Sequence, residues 1–106
     1  MDDFSYAWKI VRKHAAVIGK QKQWRGLELG PGDGLLSAFI APAAGAAELV
    51  LVDSGDFAHK DVQKYHKQIA QFLNANPGLS LPDYSKISNI EALLKCAGGS
   101  YYCEGL

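Results

Sequence analysis

The chain has 106 residues, of which 48% are hydrophobic and 21% charged, and its formal net charge is zero. A chain of this length forms one domain at most and buries only about 60–65% of its unfolded surface. Zero net charge provides no general attraction to nucleic acid or anionic membrane, and no apolar run approaches the roughly 20 residues that span a bilayer. Two cysteines are too few for a disulfide framework. We therefore expect a cytoplasmic protein with no membrane span, and a nucleic-acid partner is not favoured.

Hydrophobic periodicity predicts helices and strands that alternate along the chain. The predicted helices cover residues 4–19, 35–44, 57–73 and 87–97, the predicted strands cover residues 24–29, 48–52 and 100–103, and residues 79–85 are expected to form a loop. Pro42 should end or kink the second helix, and Asp56 is a candidate N-cap for the third. This alternation predicts an α/β fold whose strands pair in parallel through right-handed crossovers.

A glycine-rich turn follows the first predicted strand. Gly30, Gly32 and Gly34 occupy alternate positions, where the absence of a Cβ permits tight backbone angles and close approach of a ligand. The second strand then delivers Asp53 to the same edge of the sheet. A carboxylate at that place can accept hydrogen bonds from both hydroxyls of a ribose, so this arrangement predicts a nucleoside-type cofactor.

The segment Glu28–Gly34, with sequence ELGPGDG, resembles motif I of the class I S-adenosylmethionine-dependent methyltransferases, acidic-x-Gly-x-Gly-x-Gly. Asp53 stands in the place of that family's second-strand acid. Together with residues 51–58 (LVDSGDFA) and 102–106 (YCEGL), the motif is similar to a bacterial subgroup associated with sugar, polysaccharide or cell-surface biosynthesis. The resemblance implies a Rossmann-like three-layer fold with strands ordered 3-2-1, S-adenosylmethionine as cofactor, and a small-molecule or sugar acceptor.

A dinucleotide site is the first alternative, which would make the chain part of an NAD(P)-dependent oxidoreductase. The fingerprint Gly-x-Gly-x-x-Gly would require glycine or alanine where Leu35 or Ser37 stands. S-adenosylmethionine carries no phosphate, and its sulfonium and ammonium cations favour a carboxylate such as Glu28. A second alternative is a non-enzymatic assembly module in which the nucleoside site is vestigial.

The resemblance also implies roles for individual residues. Glu28 would face the methionine ammonium, and Asp53 would bind the ribose with Ser54 as a weaker neighbour. The remaining implied cofactor-binding residues are Gly30, Pro31, Gly32 and Gly34 at the turn, and Glu104 and Gly105 near the adenine. Leu106 replaces an acid that the family often has, which argues against a side-chain hydrogen bond to adenine. Asp33 either contacts the ligand or caps the second helix.

The resemblance covers only part of the family's domain. Residues 1–23 would form an N-terminal helix and connection, and residues 24–106 the cofactor-binding half of a seven-stranded sheet. The acceptor-binding segments of the family follow its fourth strand, so we name no catalytic residue and expect no methyl transfer by this chain alone. The outer edge of the first strand would lack a partner, which predicts marginal stability or self-association.

The remaining reactive side chains do not form a recognisable metal site. His59 and His66 are seven residues apart on the predicted third helix, whereas helical metal pairs favour a spacing of four. Cys96 and Cys103 lack the short spacing of zinc knuckles, and Cys103 is expected within the third strand. Basic residues and two tryptophans before Gly26 could face RNA, but a solvated helix face that covers the sheet and the cofactor mouth accounts for them better. We predict no metal.

Overall fold

A computed structural model of the chain describes residues 4–18, 23–31, 34–56 and 58–103. The helices are α1 (Ser5–Ile18), α2 (Leu36–Ile40), α3 (Val62–Ala75) and α4 (Ile90–Ala97), and a 3-10 turn over Ala41–Ala44 follows α2. The strands are β1 (Trp24–Leu29), β2 (Ala46–Val52) and β3 (Gly99–Tyr102). Both pairs of neighbouring strands are parallel, so the chain has the expected α/β architecture. Among the described residues, no helix is both long enough and apolar enough to cross a membrane.

The strands lie in the order β1-β2-β3, where the sequence analysis expected 3-2-1. Both orders place β2 at the centre, but a sheet of three strands does not establish the Rossmann-like order of a larger domain. β1 and β3 form the two edges of the described sheet. The expected β1 boundaries agree with the structure, because Trp24 begins a run in which alternate side chains point toward the helices.

The third helix begins later than predicted, and Asp56 is not its N-cap. Asp61 occupies that position and accepts a hydrogen bond from the N–H of Lys64 at 3.2 Å, while Asp56 pairs with Lys60. His59 consequently precedes α3, so His59 and His66 do not share a helix.

Other predicted boundaries also change, and β2 begins at Ala46 rather than at residue 48. α4 begins at Ile90 rather than at residue 87, because the side chain of Asn89 caps it by accepting from the N–H of Ala92 at 2.8 Å. Cys103 lies immediately after β3 rather than within it. The second helix is regular only to Ile40, since Pro42 begins a change to 3-10 geometry as expected from its ring.

The hydrophobic core lies between the sheet and the helices. Its largest fully buried side chains are Tyr65, Phe39, Phe72, Leu35, Ile40, Leu49, Leu51, Leu93 and Val11. Residues 35–41 are all buried, which makes the short α2 the centre of the core rather than a surface helix. The Trp24 indole packs at the amino-terminal end of β1, and its N–H donates to the carbonyl of Ala44 at 2.9 Å. Aromatic rings join the layers, with Phe39 lying edge-on to Tyr65 at 5.0 Å between centroids.

Gly98 is the position at which the fold depends most directly on a missing side chain. It ends α4 in the left-handed conformation with φ at +74°, and an added Cβ would lie 2.3 Å from the carbonyl oxygen of Ala47. We expect Gly98→Ala to lower the free energy of unfolding by more than about 2 kcal/mol, since the left-handed angle alone costs about 1–2 kcal/mol. Urea unfolding followed by circular dichroism measures this.

Gly78→Ala is the matched control for that measurement. Gly78 does not have a left-handed φ, and a Cβ there would meet no protein atom within 4 Å. Its substitution should leave stability unchanged or raise it by about 0.4–1 kcal/mol through the unfolded chain. Equal effects of the two substitutions would contradict the role assigned to Gly98.

Candidate functional site

The carboxyl ends of the three strands lie side by side at one edge of the sheet. The N–H of Gly30 donates to the carbonyl of Val52 at 2.8 Å, and the N–H of Asp53 donates to the carbonyl of Tyr102 at 2.9 Å. These bonds extend the ladder one residue beyond each strand, so the glycine turn and Asp53 leave the sheet as neighbours. Open α/β sheets bind ligands at this edge.

Glu28 is the ionisable group beneath the glycine turn. It is half-buried, and its Oε1 accepts a hydrogen bond from the hydroxyl of Ser37 in α2 at 2.6 Å. Burial raises the pKa of the Glu28 carboxyl above its ordinary value, although the Ser37 hydrogen bond and the nearby His14 act in the opposite direction. A partly desolvated carboxylate of this kind is stabilised by an approaching cation.

A cleft of about 70 Å³, called here the first cleft, opens between α1, the glycine turn, α2 and α3. Its lining residues are Tyr6, Ala7, Ile10, Glu28, Pro31, Gly34, Leu36, Ser37, His59 and Gln68. This volume holds a few water molecules, since one water requires about 10–15 Å³ of such space. The first cleft therefore fits one polar end of a ligand.

The structure brings together in the first cleft Glu28, Pro31 and Gly34, which are three of the residues predicted to bind a cofactor. The N-terminal helix was expected to cover the cofactor mouth, and α1 does contribute a wall of the first cleft, although its lining residues were not named from the sequence. The wall that the segment before α3 contributes was not expected. Gln68 left a signal in the sequence, because it lies three residues after Tyr65 and four before Phe72 and is therefore a polar residue on an apolar helix face. In the structure Gln68 is only 4% exposed. Tyr6 and His59 left none, since they reach the cleft only through tertiary folding.

Two glycines of the turn leave space that a ligand could use. Gly30 adopts φ of +68°, and a Cβ added at Gly30 or Gly34 would meet no protein atom within 4 Å. Gly34 has no left-handed φ, so nothing described in the fold requires glycine there. Because Gly34 has no side chain, a ligand in the first cleft can approach the backbone closely at this position.

Asp53 and Ser54 do not line the first cleft. The half-buried Asp53 lies at the end of the central strand, and its Oδ1 accepts the N–H of Ser54 at 2.8 Å. This bond orients the carboxylate at the carboxyl edge, beside Gly30. The structure thus brings Asp53 to the glycine turn, while Glu28 lies below that turn, on the strand itself.

A second, more open cleft of about 750 Å³ lies on the β3 side of the same edge. Its lining residues are Asp56, Lys60, Val62, Ser88, Asn89, Ile90, Glu91, Leu94, Tyr101 and Cys103. The ammonium of Lys60 pairs with Asp56 and lies 5.5 Å from the centroid of the Tyr101 ring. The second cleft combines an aromatic ring and an apolar floor with a charged rim, and the sequence analysis did not anticipate it.

Several predicted site residues lie outside the described part of the chain. These are Gly32 and Asp33 of the turn, and Glu104, Gly105 and Leu106 after β3. Within the described ranges, no group of three or more histidine, cysteine or acidic side chains could hold a metal ion. Cys96 and Cys103 are both free thiols.

Comparison of the chain with models of known protein families, with curated proteins and with solved structures finds no match. The resemblance carried by the glycine turn and Asp53 therefore stays a prediction about function.

The raised pKa of Glu28 predicts a pH-dependent cost in stability. The folded protein holds the Glu28 proton more tightly than the unfolded chain does, so the protonated carboxyl stabilises the fold. This stabilisation is complete below the pKa that Glu28 has in the unfolded chain, and it is lost as the pH rises through the higher pKa of the folded protein. Glu28→Gln keeps an acceptor for Ser37 but does not ionise. We expect its stability relative to wild type to increase as the pH rises above the ordinary carboxyl pKa of 4.5, measured by urea unfolding at each pH.

Glu91→Gln controls for the loss of one carboxylate, since Glu91 is exposed in the first turn of α4. A stability difference between wild type and Glu28→Gln that stays constant with pH would contradict the assigned effect of burial.

Proposed function

We propose that this chain binds S-adenosylmethionine at the carboxyl edge of its sheet and serves as the cofactor-binding part of a methyltransferase. The observation that carries the proposal is the half-buried carboxylate of Glu28 in a cleft whose wall is the glycine turn. A cofactor with a sulfonium and an ammonium supplies the cations that such a carboxylate would stabilise.

The neighbouring groups support the rest of the cofactor. The open space at Gly30 and Gly34 gives the methionine and ribose room to approach the backbone. Asp53 is a carboxylate at the adjoining strand end, suited to accept hydrogen bonds from both ribose hydroxyls. In this proposal the first cleft holds the methionine end, and the base extends past Asp53 toward the second cleft, where Tyr101 offers an aromatic surface.

A dinucleotide is less compatible with these contacts. Its pyrophosphate requires free N–H groups at a helix N-terminus, whereas the N–H of Leu35, immediately before α2, already donates to the Tyr65 hydroxyl at 3.1 Å. The carboxylate of Glu28 would also repel phosphate in the first cleft. A measurement of ligand binding distinguishes the non-enzymatic alternative, because a vestigial site would bind no nucleoside ligand.

The acceptor and the compartment rest on the resemblance. A small molecule, a sugar or a cell-surface precursor is the proposed methyl acceptor, and the cytoplasm is the proposed location. In methyl transfer the protein chiefly aligns the acceptor with the methyl group and stabilises charge as it moves. No described residue is assigned to acceptor binding.

Isothermal titration calorimetry with S-adenosylmethionine, its demethylated product and NAD tests the proposal. We expect the two adenosyl ligands to bind and NAD to give no heat. Affinity for S-adenosylmethionine should rise with pH until Glu28 is ionised in the free protein, because the cation favours the deprotonated carboxyl. Binding of NAD alone would favour the oxidoreductase, and absence of heat for all three ligands with folded protein would favour the assembly module.

Gly34→Ala tests whether the ligand uses the space beside the turn. The added methyl group meets no protein atom within 4 Å, so the fold should tolerate it, yet it would occupy the wall of the first cleft. We expect at least tenfold weaker binding of S-adenosylmethionine, equivalent to about 1.4 kcal/mol. Gly78→Ala, whose Cβ also meets open space, should leave the affinity unchanged. Equal affinities for both variants would place the ligand elsewhere.

Asp53→Ala tests the proposed ribose contact. Loss of a charged acceptor for two hydroxyls should weaken binding by about 1.5–3 kcal/mol, measured by the same calorimetry. Asp83→Ala removes an exposed carboxylate that lines neither cleft and serves as the control. An unchanged affinity for Asp53→Ala would remove this residue from the site.

A further inference from the structure

The sheet has one face that no described helix covers. Crossovers between parallel strands are right-handed, and two successive crossovers that step in the same direction across a sheet place their helices on the same side. The order β1-β2-β3 has this property, so α2, α3 and α4 share one face. α1 lies on the same side, because Phe4 and Trp8 contact the ring of Phe72 in α3. The burial pattern of β1 agrees with this arrangement of the helices. Trp24 is buried, whereas Arg25, Leu27 and Leu29 are exposed.

The uncovered face, called here the open face, carries large apolar side chains. Leu27 and Leu29 of β1 are 53% and 68% exposed, and Tyr102 of β3 is 58% exposed. The pairing register places Val50 beside Leu27, and Val52 between Leu29 and Tyr102. Parallel sheets are ordinarily covered on both faces, and a contiguous exposed apolar patch marks an interaction surface.

The charges on the open face indicate what covers it. Arg25 and Glu48 are paired in the register, so one positive and one negative side chain lie next to each other on this face, near the amino-terminal ends of β1 and β2. No ion pair joins them within the described structure. A surface carrying adjacent opposite charges below an apolar patch is complementary to a copy of itself.

We infer that two copies of this chain associate through their open faces around a twofold axis parallel to the strands. An axis between β1 and β2 places β1 of each copy over β2 of the other. Arg25 of one copy then meets Glu48 of its partner, and the same contact repeats on the other side of the axis, as a twofold interface requires. Leu27 of each copy covers Val50 of the partner in the aligned packing of two sheets, and Leu29 packs over the end of the partner's β2, where Val52 is already only 8% exposed.

The expected dimer is weak. Three strands about 4.8 Å apart make a narrow face, smaller than a standard interface of about 800 Å² per partner. Sedimentation velocity over about 10 μM to about 1 mM protein should therefore show a monomer that converts to a dimer as concentration rises. Leu29→Lys should raise the dissociation constant at least tenfold, because it places a charge in the apolar patch. Ala70→Lys places the same charge at an exposed position of α3, outside the open face and both clefts, and should leave the dissociation constant unchanged.

A charge exchange tests the arrangement itself. Arg25→Glu and Glu48→Arg each place like charges opposite one another and should abolish dimerisation, whereas the double variant restores opposite charges and should restore the dimer. Circular dichroism establishes that each variant is folded. A wild-type chain that stays monomeric throughout, or single variants that the double variant does not rescue, would overturn the inference. Association unaffected by Leu29→Lys and Arg25→Glu would also overturn it and would point to the unpaired edge of β1.

Discussion

The hydroxyl of Tyr65 joins the segments that form the walls of the first cleft. It accepts the N–H of Leu35 at 3.1 Å, donates to the carbonyl of His59 at 2.9 Å, and is carried by the middle of α3. The Tyr65 ring is fully buried, and the His59 ring stacks on it at 4.1 Å between centroids. Because a buried backbone group without a hydrogen bond is costly, removing this hydroxyl would affect the turn and the segment before α3 together. The positions of Gly34 and His59 thus depend on one side chain outside the glycine motif.

The electrostatic character of the cleft depends on the same packing. α2 is buried along its whole length, and this position brings Ser37 to Glu28 and limits the access of water to the carboxylate. Burial raises the pKa of Glu28, while the hydrogen bond from Ser37 favours the ionised form. The result is a carboxylate with one hydrogen bond already made and with an incomplete solvent shell. Such a group gains more from a cationic ligand than an exposed carboxylate would, which is why we base the proposed cofactor on Glu28.

The sequence was most informative where the structure depends on local chemistry. The boundaries of β1, the effect of Pro42 and the shared edge of Gly30 and Asp53 all follow from periodicity, ring geometry and parallel pairing. The start of α3 was wrong because two acids compete for the N-cap. The choice of Asp61 coincides with the contacts of Lys60 and the Tyr65–His59 hydrogen bond, which hold residues 56 and 58–60 outside the helix. Those contacts join residues four and six positions apart in the chain, but they depend on a non-helical backbone and leave no periodic pattern in the sequence.

The candidate site follows the same division. Glu28, Pro31 and Gly34 are consecutive parts of one motif, so their meeting in the first cleft could be predicted. Tyr6, His59 and Gln68 come from three other segments and meet only when α1 and α3 pack on α2. The second cleft likewise requires the end of β3 to lie against the start of α4, a juxtaposition that a linear motif does not contain.

The strand order gives the molecule two separate surfaces with different chemistry. Same-sided crossovers gather the helices on one face, so loops and helix ends surround both clefts at the carboxyl edge, where polar groups from several segments converge. The opposite face receives no helix from the described chain, and its side chains come from regular strands alone. A ligand at the edge interacts with polar groups whose positions depend on the core, whereas a partner on the open face contacts apolar rows fixed by strand register. Because Leu29 borders Gly30 and Val52 borders Asp53, a dimer through the open face would restrain the two strand ends that present the proposed cofactor site. Assembly and cofactor binding would then be coupled through the last residues of β1 and β2, without any contact between the partner and the ligand.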